Sequence, residues 1–137
     1  METRIVFVLA LLSGAWAVWA AVTRAFARFR PDGARPSTVG IVLGARATLL
    51  QFSATTCGTC PAVARLLASI TAEHPGVAHV EVDVATRPDL VRAYGVRRTP
   101  TVLLLDAAGQ VVSRSSGPVT RREVLAALDA HLVLETR

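Results

Sequence analysis

Two cysteines three residues apart, in Cys57-Gly58-Thr59-Cys60, stand where an apolar, strand-like run hands over to a helix-like one. They are the only cysteines in 137 residues. Thiols at this spacing close a disulfide with little change to the backbone. So short a bridge constrains almost no chain and adds little stability through loop entropy, and two cysteines make no disulfide framework. The pair therefore reads as chemistry rather than as a staple. A zinc site needs about four ligands. One Cys-x-x-Cys with His74, His79 and His131 scattered along the chain does not supply them, and no metal or cofactor is expected.

The flanks order themselves around the pair. Thr48–Ser53 (TLLQFS) reads as a buried strand with only Gln51 polar inside it, and Val39, Ile41 and Val42 suggest a short edge strand before it, weakened by Gly40 and Gly44. From Pro61, residues Val63, Leu66, Leu67 and Ile70 fall at helical spacing, and the helix ends near His74, whose ring is placed to meet free carbonyls. Pro61 is tolerated because the first turn needs no N–H there. Ala78–Val84 alternates, with Val80, Val82 and Val84 on one side and His79, Glu81 and Asp83 on the other. Strand, helix and strand in this order imply a right-handed crossover and parallel pairing. A short helix over Arg87–Tyr94 stops at Gly95, Thr101–Leu105 is a third buried strand, and Gly109 turns it back into Gln110–Ser115. Thr120 then caps a last helix, with Glu123 closing a capping box, and His131 falls on that helix's surface. The fold class is α/β, a central mixed sheet of four or five strands flanked by helices.

Charge separates the chain into parts. The net charge of +5 comes from fifteen basic residues, all arginine. Four of these (Arg24, Arg28, Arg30, Arg35) form a collar with Asp32, whereas residues 37–137 carry ten arginines against eight acids. A nucleic-acid surface would cluster arginine and aromatics on one folded face, so no nucleic-acid partner is expected. Before the collar, Ile5–Val22 is uncharged. As a helix it spans about 27 Å, close to a bilayer core of roughly 30 Å. Trp16 and Trp19 near its end suit the interface, and the arginines after it suit anionic headgroups. The expectation is one N-terminal transmembrane helix in contact with the lipid bilayer. A cleaved signal peptide, with an apolar core at Ile5–Leu12, is the competing reading, but its n-region METR is barely positive and the arginines follow the apolar core. The positive-inside rule then puts the domain on the cytoplasmic side, and an external face stays open. Pro31–Ser37 is a linker of turn formers.

The order of strand, Cys-x-x-Cys, helix, strand, helix, Thr-Pro, two strands and helix resembles the thioredoxin family over about residues 46–134. Three stretches carry the resemblance: TLLQFSATTCGTCPAVARLL, the strand ending at Asp83 with its short helix, and Tyr94-Gly95-Val96-Arg97-Arg98-Thr99-Pro100-Thr101 leading into an apolar strand. The domains expected are then 1–22 transmembrane helix, 23–45 basic juxtamembrane segment and linker, and 46–137 thioredoxin-like domain. Cys57, just ahead of a helix N-terminus, gains thiolate character from free N–H groups and the helix dipole. Cys60, one turn inside the helix, resolves the mixed disulfide. The resemblance implies a cis Pro100 and a Thr99 backbone open to an extended substrate segment.

This sequence also departs from the family pattern. Thr56 replaces a Trp, Thr59 a Pro, and Gln51 a buried Asp, while His79 falls near a family Lys and is a candidate proton relay. Arg97 and Arg98 flank the proline loop as a solvated edge or a preference for acidic substrates. The function implied is a membrane-anchored thiol–disulfide oxidoreductase, a monomer acting on disulfide-containing proteins. It would be recharged by a thioredoxin reductase or a membrane thiol electron donor. An external domain would instead resemble anchored proteins of cytochrome c maturation. A tethered, non-catalytic binding module with a redox-sensing pair is the reading outside enzymology.

Overall fold

Strand β1 (Ala47–Ser53) is buried along its whole length: Ala47, Leu49, Leu50 and Phe52 supply the apolar side chains of a strand covered on both faces, and Thr48, Gln51 and Ser53 are buried with them. The computed structural model describes Gly14, Trp16 and residues 40–135. After β1 come α1 (Cys60–Glu73), β2 (Val77–Asp83), α2 (Pro88–Ala93), β3 (Thr101–Asp106), β4 (Val111–Ser116) and α3 (Arg121–Glu135). The sheet has the order β2-β1-β3-β4, four strands among the described residues. β1 is parallel to β2 and antiparallel to β3, and β3 is antiparallel to β4. The edge strands β2 and β4 are only partly buried, whereas β3 is buried from Thr101 to Leu105.

Two apolar layers close the sheet. On one face Ala47, Leu49, Val102 and Leu104 pack against Val63, Leu67 and Ile70 of α1 and Val124 and Leu128 of α3. On the other, Leu50, Phe52, Leu103 and Leu105 pack against Leu90 of α2, Tyr94 and Ile41. The period-2 alternation along β1 and β3 thus divides their side chains between two helical layers. α3 begins with the expected capping box: the Thr120 N–H donates to Glu123 Oε2 at 2.7 Å, and the Glu123 N–H donates to Thr120 Oγ1 at 3.3 Å. His74 ends α1, its Nδ1 donating to the Ile70 carbonyl at 2.7 Å. His131 is half-buried on α3.

Two sequence expectations are corrected. Residues 41–44 form no strand. Gly44 N–H donates to Thr48 Oγ1 at 2.9 Å and Arg46 N–H to the Gly76 carbonyl at 2.8 Å, so these groups are bonded to a β1 side chain and to the turn before β2 instead of a ladder. A Cβ on Gly44 would lie 2.2 Å from the Ala47 carbonyl oxygen, which explains the glycine. Ile41 still contributes to the core from this irregular segment. The second correction is that α1 starts at Cys60 itself, about one turn later than a helix with Cys60 one turn inside it. Thr59 is already near-helical (φ −93°, ψ −16°) and its carbonyl accepts the Val63 N–H at 3.2 Å.

The described residues 40–135 belong to one compact unit. The expected membrane span at 5–22 lies outside the described residues apart from Gly14 and Trp16, both helical. Among the described residues, no helix is long and apolar enough to cross a membrane.

Tyr94 is 3 % exposed, and its hydroxyl has no hydrogen-bond partner among the described residues. Burial pushes that phenol's pKa up. An unpaired buried hydroxyl costs about 1–3 kcal/mol, so Tyr94→Phe is expected to raise stability by about 1 kcal/mol, read as a higher urea midpoint with an unchanged m-value.

Candidate active site

The register of the central strands gathers the site. Phe52 pairs with Thr101 across the antiparallel β1–β3 ladder. The chain leaving β1 toward Cys57 and the chain entering β3 from Pro100 therefore meet at one end of the sheet. The Thr99–Pro100 peptide bond is cis. Pro100 is buried, and its carbonyl accepts the Gly117 N–H at 2.7 Å. The Thr101 hydroxyl donates to the Arg98 carbonyl at 2.7 Å. The Thr99 backbone takes part in no hydrogen bond among the described residues. Arg97 and Arg98 are exposed beside it.

Cys57 and Cys60 are joined in a disulfide with their Cα atoms 5.5 Å apart. Their exposure differs: Cys57 is partly exposed, whereas Cys60, the first residue of α1, is 2 % exposed. A bulky reactant can reach only the first sulfur. Cys57 also lies at the positive end of the helix dipole, which favours a thiolate there. Thr59, the N-cap, makes no side-chain cap bond. Its hydroxyl instead lies 3.9 Å from Cys57 Sγ, where a hydroxyl donor favours an anionic sulfur. Thr56 is an exposed turn residue.

Beneath Cys60 the sheet carries a polar cluster. Gln51 is fully buried. Its Nε2 donates to the Cys60 carbonyl at 3.1 Å and to Ser53 Oγ at 2.9 Å, with Glu81 Oε1 at 3.5 Å. The Ser53 hydroxyl donates to Glu81 Oε1 at 2.5 Å. Two of the three atoms around Nε2 are oxygens without a proton, which fixes the amide orientation, because a flip would set oxygen against oxygen. Gln51 Oε1 therefore faces His79 Nε2 at 3.1 Å and requires a proton there. His79 is a donor to Gln51, and its basic nitrogen, Nδ1, lies on the other edge of the ring. The expected His79 position is thus one amide away from Cys60 rather than against a thiol.

Sequence reasoning singles out Gln51 and His79 but passes over Ser53 and Glu81. The signal for them is present in the period-2 spacing, which puts 51 and 53 on one face of β1 and 79 and 81 on one face of β2. What the spacing lacks is the register, in which Gln51 pairs with Glu81.

Burial lowers the His79 pKa, partly offset by the Glu81 charge. The sign follows from linkage. Unfolded, the ring takes up its proton as pH falls past about 6.5; folded, it resists until lower pH. This contribution to stability is present above that value and is lost as pH falls toward the folded pKa. His79→Gln is therefore expected to lose less stability than the wild type between pH 7.5 and 5, as urea midpoints across that range would show.

The family model for thioredoxin matches residues 40–130. The chain belongs to the thioredoxin family. Among curated relatives it is similar to Thioredoxin H5 of Oryza sativa subsp. japonica, 38 % identical over 60 residues, covering 44 % of each chain. It is also similar to Thioredoxin-2 of Pyricularia oryzae, 43 % identical over 56 residues, covering 41 % of this chain and 33 % of the relative. These matches span less than half the length of either relative. A thioredoxin of Chlorobaculum thiosulfatiphilum matches at 26 % over 88 residues, 64 % of this chain and 81 % of its own. Two solved structures agree in fold. Thioredoxin NaTrxh from Nicotiana alata has a TM-score of 0.57 and 29 % identity, covering 64 % of this chain and 74 % of that one. A thioredoxin from Fasciola hepatica has a TM-score of 0.57 and 26 % identity, covering 64 % of this chain and 83 % of that one. In this thioredoxin domain the amide at Gln51 sits opposite a carboxylate at Glu81 on the neighbouring strand.

Proposed function

We propose that the chain is a thiol–disulfide oxidoreductase that reduces disulfides in proteins and is held at a membrane by its N-terminal apolar segment. The observation that carries the reading is the Cys57–Cys60 pair at the start of α1, with one sulfur accessible and the other buried. Reduced Cys57 attacks a substrate disulfide as thiolate, forming a mixed disulfide and releasing one substrate thiol. Cys60 then gives up its proton and attacks Cys57 Sγ. The intramolecular disulfide forms, and the second substrate thiol leaves. An extended substrate segment pairs with the Thr99 backbone beside Pro100. Gln51, Thr56, Thr59 and His79 modulate the pair: Thr59 through its hydroxyl, Gln51 and His79 through the amide under Cys60, and Thr56 through the polar rim it gives the site. Electrons return from a thioredoxin reductase or a membrane thiol carrier. The uncharged run 5–22 and the arginines after it support the anchor, with the domain on the cytoplasmic side.

The test is turnover. The purified chain is expected to reduce insulin faster than dithiothreitol alone, and a rate no higher than that background would overturn the reading. For the compartment, a membrane-impermeant thiol reagent is expected to label Cys57 only after cells are permeabilised; labelling of intact cells would place the domain outside.

A further inference from the structure

The hydrogen bonds beneath Cys60 have a direction. His79 Nε2–H donates to Gln51 Oε1, Gln51 Nε2–H to Ser53 Oγ, and Ser53 Oγ–H to Glu81 Oε1. The chain starts at an imidazole, passes under the first residue of α1, where the same Nε2 holds the Cys60 carbonyl, and ends at a carboxylate. The next carboxylate on that face of β2, Asp83, is committed elsewhere, with its Oδ1 accepting the Ala85 N–H at 2.8 Å. Glu81 is otherwise an exposed edge-strand residue. Nothing in its own position requires the carboxylate to turn inward, and the 2.5 Å bond to Ser53 is what turns it.

We propose that Glu81 is a positioning residue of the redox pair: held inward by Ser53 and acting through Gln51, its carboxylate sets the reduction potential of Cys57–Cys60. This rests on the oxidoreductase reading above. Reduction by two glutathione molecules breaks the Cys57–Cys60 bond and forms glutathione disulfide; of the two glutathione protons one stays on the protein as a thiol and, where Cys57 is left as thiolate, the other goes to water. A carboxylate kept one amide away from Cys60 disfavours that new negative charge, so it keeps the pair a stronger reductant. Ser53 supplies the geometry. Without it, the exposed carboxylate retains only the 3.5 Å approach to Gln51 and swings into water, where its charge is screened.

The experiment equilibrates the full chain with glutathione couples and reads the oxidised fraction, for wild type, Glu81→Gln, Ser53→Ala and the double variant. Glu81→Gln is expected to shift the equilibrium toward the reduced pair about threefold to tenfold, or about 15 to 30 mV. Ser53→Ala is expected to shift it in the same direction, and the double variant to go no further than Glu81→Gln alone, since both act on one charge. The Glu81→Gln shift should shrink in about 1 M salt, where the Debye length is about 3 Å; a purely structural effect would not. An unchanged potential in Glu81→Gln overturns the inference. So does a shift in Glu81→Gln that Ser53→Ala does not share, an additive double variant, or a shift indifferent to salt. Insulin turnover is measured separately: a wild-type chain that equilibrates with glutathione yet fails to reduce insulin overturns the oxidoreductase reading alone.

Discussion

Cys57→Ser is expected to bring insulin reduction down to the rate of dithiothreitol alone, and Cys60→Ser to leave the chain covalently joined to its substrate. The two outcomes differ because the two sulfurs have different surroundings. Cys57 is the accessible sulfur, at the positive end of α1 and 3.9 Å from the Thr59 hydroxyl; a serine there offers no thiolate at neutral pH, and no first attack occurs. Cys60 is 2 % exposed and meets no substrate. Its thiol is needed only once Cys57 is already bonded to substrate, when its proximity within one turn makes the second attack intramolecular. In Cys60→Ser that step is lost, so a mixed disulfide accumulates and is released slowly by external thiol. Non-reducing electrophoresis after incubation with a disulfide protein reads it directly, as a band of summed mass that dithiothreitol removes. Equal trapping by both variants would mean that both sulfurs are open to substrate, contrary to their burial.

Much of this arrangement is legible in the sequence because it is written in local signals. A strand of apolar residues, two thiols at fixed spacing and a proline in the first helical turn place Cys57 and Cys60 without knowledge of the rest of the chain. Thr120 and Glu123 announce the start of α3 by themselves, and the hydrogen bonds between them agree. Where the sequence misleads, the information is not local. It suggests Cys60 one turn into α1, whereas the helix starts at Cys60 itself, and nothing in Gly58-Thr59 marks that later start. Val39–Val42 looks strand-like in composition, but the Gly44 N–H bonds to the Thr48 hydroxyl four residues on, and the Arg46 N–H to the Gly76 carbonyl, which only the tertiary fold brings near. Glu81 is the largest omission. On an alternating strand it reads as a solvent-side charge, and only the parallel register that sets it opposite Gln51 turns it into part of the site. The amide at position 51 is visible as a departure from the family; the carboxylate that accompanies it one strand away is not.

Phe52→Ala is expected to cost about 3–5 kcal/mol of stability and to weaken the proline loop along with the fold. Phe52 is fully buried between Gln51 and Ser53. Those two residues point to the cluster under Cys60, while the ring points to the opposite face and packs with Leu50, Leu103 and Leu105. Its centroid lies 5.7 Å from that of Tyr94 at a tilt of 57°. Tyr94 is the root of the loop that runs to Thr99 and Pro100, and its carbonyl is held by the Arg114 guanidinium. Truncation to alanine removes a whole ring from a layer covered, among the described residues, by one short helix, α2, so little can shift to fill the space. Net stabilities of domains are about 5–15 kcal/mol, so the variant sits near the margin, and its urea midpoint should fall accordingly. Phe52→Leu keeps most of the volume and is expected to cost under about 1.5 kcal/mol. The pair of variants separates packing from chemistry. If the ring supports the loop, insulin turnover per folded molecule falls further in Phe52→Ala than in Phe52→Leu, while the glutathione equilibrium of Cys57–Cys60 stays near the wild-type value in both, since Gln51, Ser53 and Glu81 lie on the other face. A potential that moved with the alanine variant would show that the two faces of β1 are not independent.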